Sequence, residues 1–508
     1  MRKKKAGDGK VARAKSTRAA EVTVQETSAA TGTIPWVVVF CLLSILWLIL
    51  VWFPVAKMSA QWTTTINEGF ATYQQATAAH GDKIYGSPPT YVYQNYPPLS
   101  FHLAGWLGSL IHDTNVAGRW ISFLAYLAIA LFVALIVERF THSRRLGAFA
   151  GLCWLIWLAA FDMTRVGYND PHVLGVALSL AGLYSYIRDP ESSLGLCISA
   201  ILFSLSLFTK QSLLAFPGAV AIQLLLTSGR RLATWLGVSV LACVSLLALT
   251  IVIDGRCFLE HLMMPRPYNP WDILASLAPY LYFAQAGFVV AVIWALRQTA
   301  RGPASVLVWS FVIAHVAAAV YCGGAGASVN HFYEGMIATS VILGLVVPEL
   351  QRISAGWRFP RAMFAVLLVA PFFLTSMLAV PQRIYTDLKM YKEIPKHEAE
   401  FAFVKNIVKD HDGPALCETL LICYAAGKAE EYDPYTADMA FRAGRIQQAQ
   451  LTELIASRHF RVIQLEWSRS EPMQPAPRVR FTGPVMRTLF ATYQLAARTD
   501  KYAVFTPR

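Results

Sequence analysis

The residues best suited to chemistry lie in short polar segments between long apolar ones. The segment INEGFATYQQ contains Asn67 and Glu68, and the segment TRVGYNDPHVLG contains Arg165, Asp170 and His172. A positioned carboxylate can remove a proton from a hydroxyl, and cationic side chains can neutralise phosphate oxygens. We therefore predict that Glu68, Asp170 and Asn67 are catalytic, with Glu68 as the base that activates an attacking hydroxyl.

A second set of residues is predicted to bind the substrate. Lys210 and Gln211 separate two apolar runs in LFTKQSLLAFPG, at the predicted exit of a membrane span. Ionisable residues near membrane depth are costly and are usually functional or paired. The candidates for substrate binding are Lys210, Gln211, Arg165, Tyr96, Arg119, His331 and Glu334.

The main candidates also have structural interpretations. Asp170 precedes a proline at a predicted helix start, which is typical of an N-terminal cap. Lys210 is long enough to reach the membrane interface from a buried position. Glu68 is also compatible with a helix end that faces water. By predicted topology, however, these residues converge on one side of the bilayer, which favours a shared site.

Cofactor signals are weak in this chain. If a divalent cation takes part, its candidate ligands are Glu68, Asp170 and His172, because hard cations prefer oxygen ligands. No CxxC, HExxH, Walker or GxGxxG motif occurs in a useful context, so ATP-driven chemistry is unsupported. Among eight cysteines, Cys417 and Cys423 are candidates for a disulfide, although spacing alone does not fix the pairing.

The elements that must position these residues are predicted to be membrane helices. The chain has 508 residues, of which 55% are hydrophobic and 15% charged, whereas soluble domains carry about 25% charged residues. Apolar blocks of roughly 16–24 residues are typical of helical membrane spans. About eleven are predicted, at 34–56, 119–139, 147–163, 172–187, 195–209, 211–228, 232–253, 277–297, 303–322, 335–350 and 362–380.

Charge placement predicts the orientation. The net charge is +13, and the first 18 residues contain eight basic side chains against one acid. Residues 1–33 are therefore predicted to be a disordered basic tail in the cytoplasm that rests on anionic lipid, and not a nucleic-acid arm. Alternation then places every short basic loop in the cytoplasm and the first loop, 57–118, outside. This requires that the apolar segment 97–112 does not cross the membrane.

The last part of the chain has a different composition. Residues 381–508 are amphipathic and charged, with helical patterns near 397–409, 419–428 and 446–458. The short runs GPALCE, FRVIQLEW and KYAVFTP are typical of strands. We predict a polytopic α-helical membrane module over 34–380, followed by a small extracytoplasmic α/β domain.

Several of these segments together resemble a known superfamily. The order NEG, IYGSPP, NYPPLSFHLAGWLG, GRWISF, RVGYNDPHVLGVALSLAGLYSY and FTKQSLL is similar to that of GT-C glycosyltransferases. More narrowly, residues 34–350 resemble the bacterial family-39-like enzymes related to dolichyl-phosphate-mannose-protein mannosyltransferases. The resemblance implies an extracytoplasmic active site in the bacterial inner membrane and a polyprenyl-phosphate-sugar donor. The usual first-loop pair of that family is Asp-Glu, whereas this chain has Asn67-Glu68, so the base role passes to Glu68.

The predicted function is that of an integral-membrane glycosyltransferase. It would move a hexosyl or pentosyl group from the lipid donor to a hydroxyl of a glycan, lipid or protein acceptor. A transporter or lipid-linked-glycan flippase is the alternative, because such proteins also have many helices and buried charges. Internal repeats with paired broken helices would favour transport, and none is evident. A non-catalytic assembly protein acting through residues 381–508 is a third interpretation.

Overall fold

The computed structural model describes residues 36–63, 67–88, 90–353 and 361–508. The predicted tail, 1–33, lies outside this part of the chain. Each predicted span overlaps a helix. These helices are α1 (Trp36–Lys57), α4 (Thr114–Thr141), α5 (Arg144–Phe161), α6 (Pro171–Arg188), α7 (Ser193–Leu207), α8 (Ala215–Thr227), α9 (Gly229–Ile253), α11 (Pro270–Leu296), α12 (Ser305–Cys322), α13 (Tyr333–Ile353) and α14 (Arg361–Asp410). The prediction of a polytopic helical protein is confirmed.

Not all of these helices are long enough for a simple crossing. Within the described residues, six candidate spans are long and apolar enough, and a bent helix pair makes a seventh. The pair consists of Pro270–Ala284 and Ala286–Leu296, which meet at 87°. The α7 and α8 helices are shorter apolar elements. Lipid-facing surface is evident on α9, where Val252 is 71% exposed although its helix is strongly apolar.

The first predicted outer loop is itself helical. It contains α2 (Asn67–His80) and α3 (Leu99–Ile111), and α2 packs against α3, α4 and the C-terminal part of the chain. With a rise of about 1.5 Å per residue, α3 spans roughly 20 Å, which is shorter than a bilayer core of about 30 Å. The α8 helix, within a predicted span, also has 13 residues, so length alone does not decide the point and the non-crossing of 97–112 stays a prediction. Gly69 permits the close approach of α2, because a Cβ there would lie 2.3 Å from the Leu421 nitrogen.

The C-terminal part forms a small α/β unit, as predicted. Its sheet has the order β1-β2-β4-β3, in which β1 and β2 are parallel and the other pairs are antiparallel. The strands are β1 (Ala415–Cys417), β2 (Val462–Glu466), β3 (Tyr493–Arg498) and β4 (Tyr502–Pro507). The remaining helices are α10 (Phe258–Leu262) in a predicted outer loop, then α15 (Leu420–Ala425), α16 (Pro434–Arg442), α17 (Gln448–Ala456) and α18 (Gly483–Thr492). The predicted boundary after residue 380 falls inside α14, so one continuous helix joins the two parts.

Buried apolar side chains pack the C-terminal unit against the first predicted outer loop. Trp62 and Tyr73 of the first outer loop pack in one cluster with Phe401 and Val408 of α14. Burying a large side chain of this kind contributes about 1.5–3 kcal/mol, so the contact fixes the C-terminal unit against the loop. The same cluster contains Cys417 and Cys423, which form a disulfide.

Candidate active site

Seven of the ten predicted site residues line one cavity. Its volume is about 360 Å³, and it lies where the start of α6 and the α7–α8 connection meet the predicted outer loops. The seven are Asn67, Tyr96, Arg165, Asp170, Lys210, Gln211 and His331. Glu68, Arg119 and Glu334 do not line it. These seven side chains come from segments that are far apart in the chain, and their catalytic and binding roles stay predictions.

Asp170 is both a helix cap and a cavity residue. Its Oδ1 accepts a hydrogen bond of 2.7 Å from the backbone N–H of His172 at the start of α6. Its Oδ2 accepts a hydrogen bond of 2.7 Å from Arg165 Nη1. Burial would lower the pKa of Arg165, but Asp170, Tyr168, Tyr333 and Asp162 together outweigh burial and raise it. The two interpretations of Asp170 are therefore compatible, since the cap holds a carboxylate at the cavity surface.

Lys210 is a buried cation without a carboxylate partner within 4.0 Å among the described residues. Its Nζ lies 2.6 Å from His172 Nδ1, which Asn330 Nδ2 also approaches to 3.0 Å. The ammonium also lies 5.3 Å from the centre of the Tyr96 ring. Burial lowers the pKa of Lys210 to about 8. A neutral imidazole and an aromatic face leave most of this charge uncompensated, so the cavity favours an anion.

Glu68 lies behind the cavity wall and not on it. Its carboxylate accepts two hydrogen bonds from Arg119, of 2.8 Å to Nε and 2.7 Å to Nη2, and both side chains are fully buried. It also accepts the backbone N–H of Asn169 at 3.2 Å. Burial by itself would raise the pKa of Glu68, but the ion pair lowers it to about 2. A general base must come within hydrogen-bond reach of the hydroxyl, and a carboxylate behind the cavity wall does not.

Arg119 uses its remaining donors to hold the segment between α1 and α2. Its Nη1 donates to the carbonyl of Ala60 at 2.6 Å and to that of Met58 at 3.2 Å. Its Nη2 donates to the carbonyl of Trp62 at 3.0 Å. The Glu68–Arg119 pair thus fixes the chain between α1 and α2, which positions the adjacent Asn67 at the cavity.

The other predicted residues also have defined places. Glu334 is buried at the start of α13, and its Oε1 has no hydrogen-bond partner among the described residues. Gln211 donates to the carbonyl of Asn95 at 2.8 Å, and its own Oε1 has no partner among the described residues. The described residues contain no group of three or more His, Cys, Asp or Glu side chains placed to hold a metal ion. Glu68, Asp170 and His172 are engaged in the separate contacts given above.

A second, narrower chamber adjoins this cavity and extends it toward the C-terminal unit. The two share Asn67, Tyr96, Asp170, Arg266 and Gly326. The chamber is completed by residues that sequence reasoning missed: Glu418, Asp433, Tyr435, Thr436 and Arg480. Burial raises the pKa of both Glu418 and Asp433.

One of the missed residues had a recognisable signal in the sequence. Arg266 lies between prolines in the segment MMPRPYNP, which connects the predicted spans 232–253 and 277–297. The C-terminal residues gave no such signal, because only packing brings them to the chamber.

Comparisons with known structures define the class of fold. ArnT from Cupriavidus metallidurans bound to undecaprenyl phosphate matches with a TM-score of 0.56 and 15% identity, over 93% of this chain and 98% of that chain. The apo state of the same protein matches with a TM-score of 0.57 and 14% identity, over 92% and 97%. An Archaeoglobus fulgidus oligosaccharyltransferase tethered with an acceptor peptide matches with a TM-score of 0.50 and 13% identity, over 90% of this chain and 72% of that chain.

The chain therefore has the fold of the GT-C superfamily, as the sequence resemblance predicted. Within that class, residues 95–254 match the family model described as dolichyl-phosphate-mannose-protein mannosyltransferase. This region includes α3 to α9 and carries Tyr96, Asp170 and Lys210 of the cavity. No curated protein sequence matches the chain.

Proposed function

We propose that the protein is an integral-membrane glycosyltransferase that transfers a sugar from a polyprenyl-phosphate donor to an acceptor hydroxyl. The observation that carries this proposal is the cavity in which Arg165, Lys210 and Arg266 face one another around a single acid, Asp170. Three cations against one carboxylate attract an anionic group such as a phosphate. The GT-C fold and the ArnT structure with undecaprenyl phosphate support a lipid-linked phosphate as that group.

The donor would lie with its phosphate at Lys210. The cavity wall beyond Lys210 includes Leu262, Met263 and Met264, and Met263 is 68% exposed. These apolar residues offer a path for the first isoprene units between the site and the surrounding lipid. Because the leaving group is a phosphate, its developing negative charge requires neutralisation more than protonation. Lys210 and Arg266 would provide this neutralisation.

Asp170 is the base that the geometry favours, in place of Glu68. The acceptor hydroxyl oxygen forms a bond to the anomeric carbon, while the bond from that carbon to the phosphate oxygen breaks and its electron pair leaves with the phosphate. The hydroxyl proton passes to the Asp170 carboxylate, which Arg165 holds in place. Asn67 lines both cavity and chamber, so its amide is placed to hydrogen-bond a sugar hydroxyl between phosphate and acceptor.

The acceptor would enter from the side of the C-terminal unit. The chamber that adjoins Asp170 is walled there by Asp433, Tyr435 and Arg480, which are polar groups suited to bind sugar or peptide. The oligosaccharyltransferase structure with a tethered acceptor peptide supports a polymeric acceptor for this fold. With the N-terminus in the cytoplasm, as the positive charges indicate, the site lies on the extracytoplasmic side.

Transfer and donor binding by purified variants test the proposal. Asp170→Asn is expected to lower the rate of transfer from lipid-phosphate sugars by about 100-fold or more, because it removes the base. Lys210→Met is expected to weaken binding of undecaprenyl phosphate, measured in detergent by competition with a fluorescent polyprenyl phosphate. The controls are Asp272→Asn and Lys392→Met, which change exposed residues outside the cavity. Equal activity and binding in all four variants would refute the assignment of the site.

A further inference from the structure

We propose a second binding site, for the phosphate headgroup of an anionic phospholipid, at the end of the helix bundle opposite the candidate active site. A cavity of about 530 Å³ lies there, formed by four connecting segments of the bundle. Arg139, Glu191, Gln223 and Arg231 contribute its polar wall. None of its lining residues belongs to the site of the proposed glycosyl transfer, so this inference stands independently of that function.

The separation of the two sites follows from the helices that connect them. Ser122 Oγ donates to the carbonyl of Asp170 at 3.0 Å, which places the first turns of α4 beside the candidate active site. Arg139 lies seventeen residues further along α4, and a rise of about 1.5 Å per residue separates the two by roughly 25 Å. The α6 helix likewise begins at the active-site cavity and reaches the second cavity at Ile187.

Arg231 supplies an unused hydrogen-bond donor to the second cavity. Its Nη1 donates to Glu191 Oε1 at 2.9 Å, but Glu191 is mostly exposed. Its Nη2 is buried and has no partner among the described residues. A buried guanidinium nitrogen without an acceptor is costly, and the planar fork of arginine matches the oxygens of a phosphate. The arrangement therefore favours an anion with at least two oxygens.

The start of α9 adds to this preference. Ser228 precedes the helix and lines the cavity, yet its side chain makes no cap hydrogen bond. The first backbone N–H groups of a helix and its dipole favour an anion at that end. Together with Arg231 and Arg139, this helix end contributes positive potential to a cavity that Glu191 and the C-terminal ends of α4, α6 and α8 also line.

The apolar part of the cavity indicates a lipid as the source of the phosphate. Phe140, Ile187 and Val306 line the same space. Nearby on the bundle surface, Leu194 is 70% exposed and Leu225 is 65% exposed, which is expected of helices that face acyl chains. A freely soluble phosphate would leave this apolar lining exposed to water, whereas the glycerol and upper acyl carbons of a phospholipid would cover it.

Native mass spectrometry of the purified full-length protein tests the proposal. We expect the wild type to retain phosphatidylglycerol in preference to phosphatidylcholine when both are supplied in equal amounts. Arg231→Gln should weaken phosphatidylglycerol retention roughly tenfold, because it removes both the charge and the unpaired donor. Arg230→Gln is the matched control: it removes the same charge from the adjacent position, which does not line the cavity.

The possible outcomes separate the alternatives. Selective loss with Arg231→Gln, and little change with Arg230→Gln, supports a defined headgroup site. Equal losses in the two variants would refute it in favour of diffuse attraction between a basic surface and anionic lipid. Competition by inorganic phosphate at a similar concentration would show that the ligand is a soluble phosphate and would overturn the assignment to a phospholipid. Loss of transfer activity in Arg231→Gln is not expected.

Discussion

The buried pair of Glu68 and Arg119 is the most informative place to perturb this protein. In Glu68→Gln, the amide keeps one acceptor oxygen, so one of the two Arg119 donors loses its carboxylate oxygen and faces an N–H group instead. The positive charge of Arg119 then remains buried without compensation. Breaking a buried pair by removing one partner typically costs about 3–5 kcal/mol. We therefore expect a large loss of stability, with no direct loss of a group that lines the cavity.

The measurement is the thermal unfolding midpoint in detergent, followed by intrinsic tryptophan fluorescence. Glu138→Gln is the matched control, since Glu138 forms a surface pair with Arg144, whose side chain is 92% exposed. Surface pairs contribute about 0–1 kcal/mol, so this control should unfold close to the wild type. Changing Glu68 and Arg119 together to neutral residues should restore part of the loss, because no uncompensated charge then remains.

The pH dependence provides an independent check. The ordinary pKa of Glu68, 4.5, falls to about 2 in the folded protein, where the ion pair with Arg119 outweighs burial. The stabilisation is therefore fully present above pH 4.5 and is lost as the pH falls toward 2. The difference in midpoint between wild type and Glu68→Gln should be constant from about pH 5 to 8. A Glu68→Gln variant with normal stability but abolished transfer would refute this reasoning and restore Glu68 as the base.

Two further predictions concern the cavity charge and the packing behind it. Because burial lowers the pKa of Lys210 to about 8, the affinity for undecaprenyl phosphate should fall as the pH rises from 7 to 9. The Lys210→Arg variant should bind without this decline. A wild-type affinity that does not change with pH would contradict the role of Lys210. Gly118→Ala should destabilise the protein, because a Cβ there would lie 1.9 Å from Asn169 Oδ1, whereas Gly237→Ala, with nothing within 4 Å, should be neutral in the same unfolding assay.

The sequence by itself determined the helical framework and indicated several residues that line the cavity. Apolar blocks fix helices in a bilayer regardless of their partners, because a backbone without water must form its own hydrogen bonds. The prolines and caps that end these helices are also local. For that reason Asp170, at a helix start, and Lys210, between two apolar runs, were predicted where the cavity is found.

Tertiary structure alone decided which carboxylate faces the cavity. Glu68 and Asn67 are adjacent, yet Asn67 lines the cavity while Glu68 turns to Arg119, which is 51 positions away in the chain. Hydropathy and spacing carry no information about such a partner. The same limit applies to Asp433 and Arg480, which reach the chamber only because the C-terminal unit packs on the first outer loop. Side-chain direction and long-range packing depend on the whole fold, so no local pattern records them.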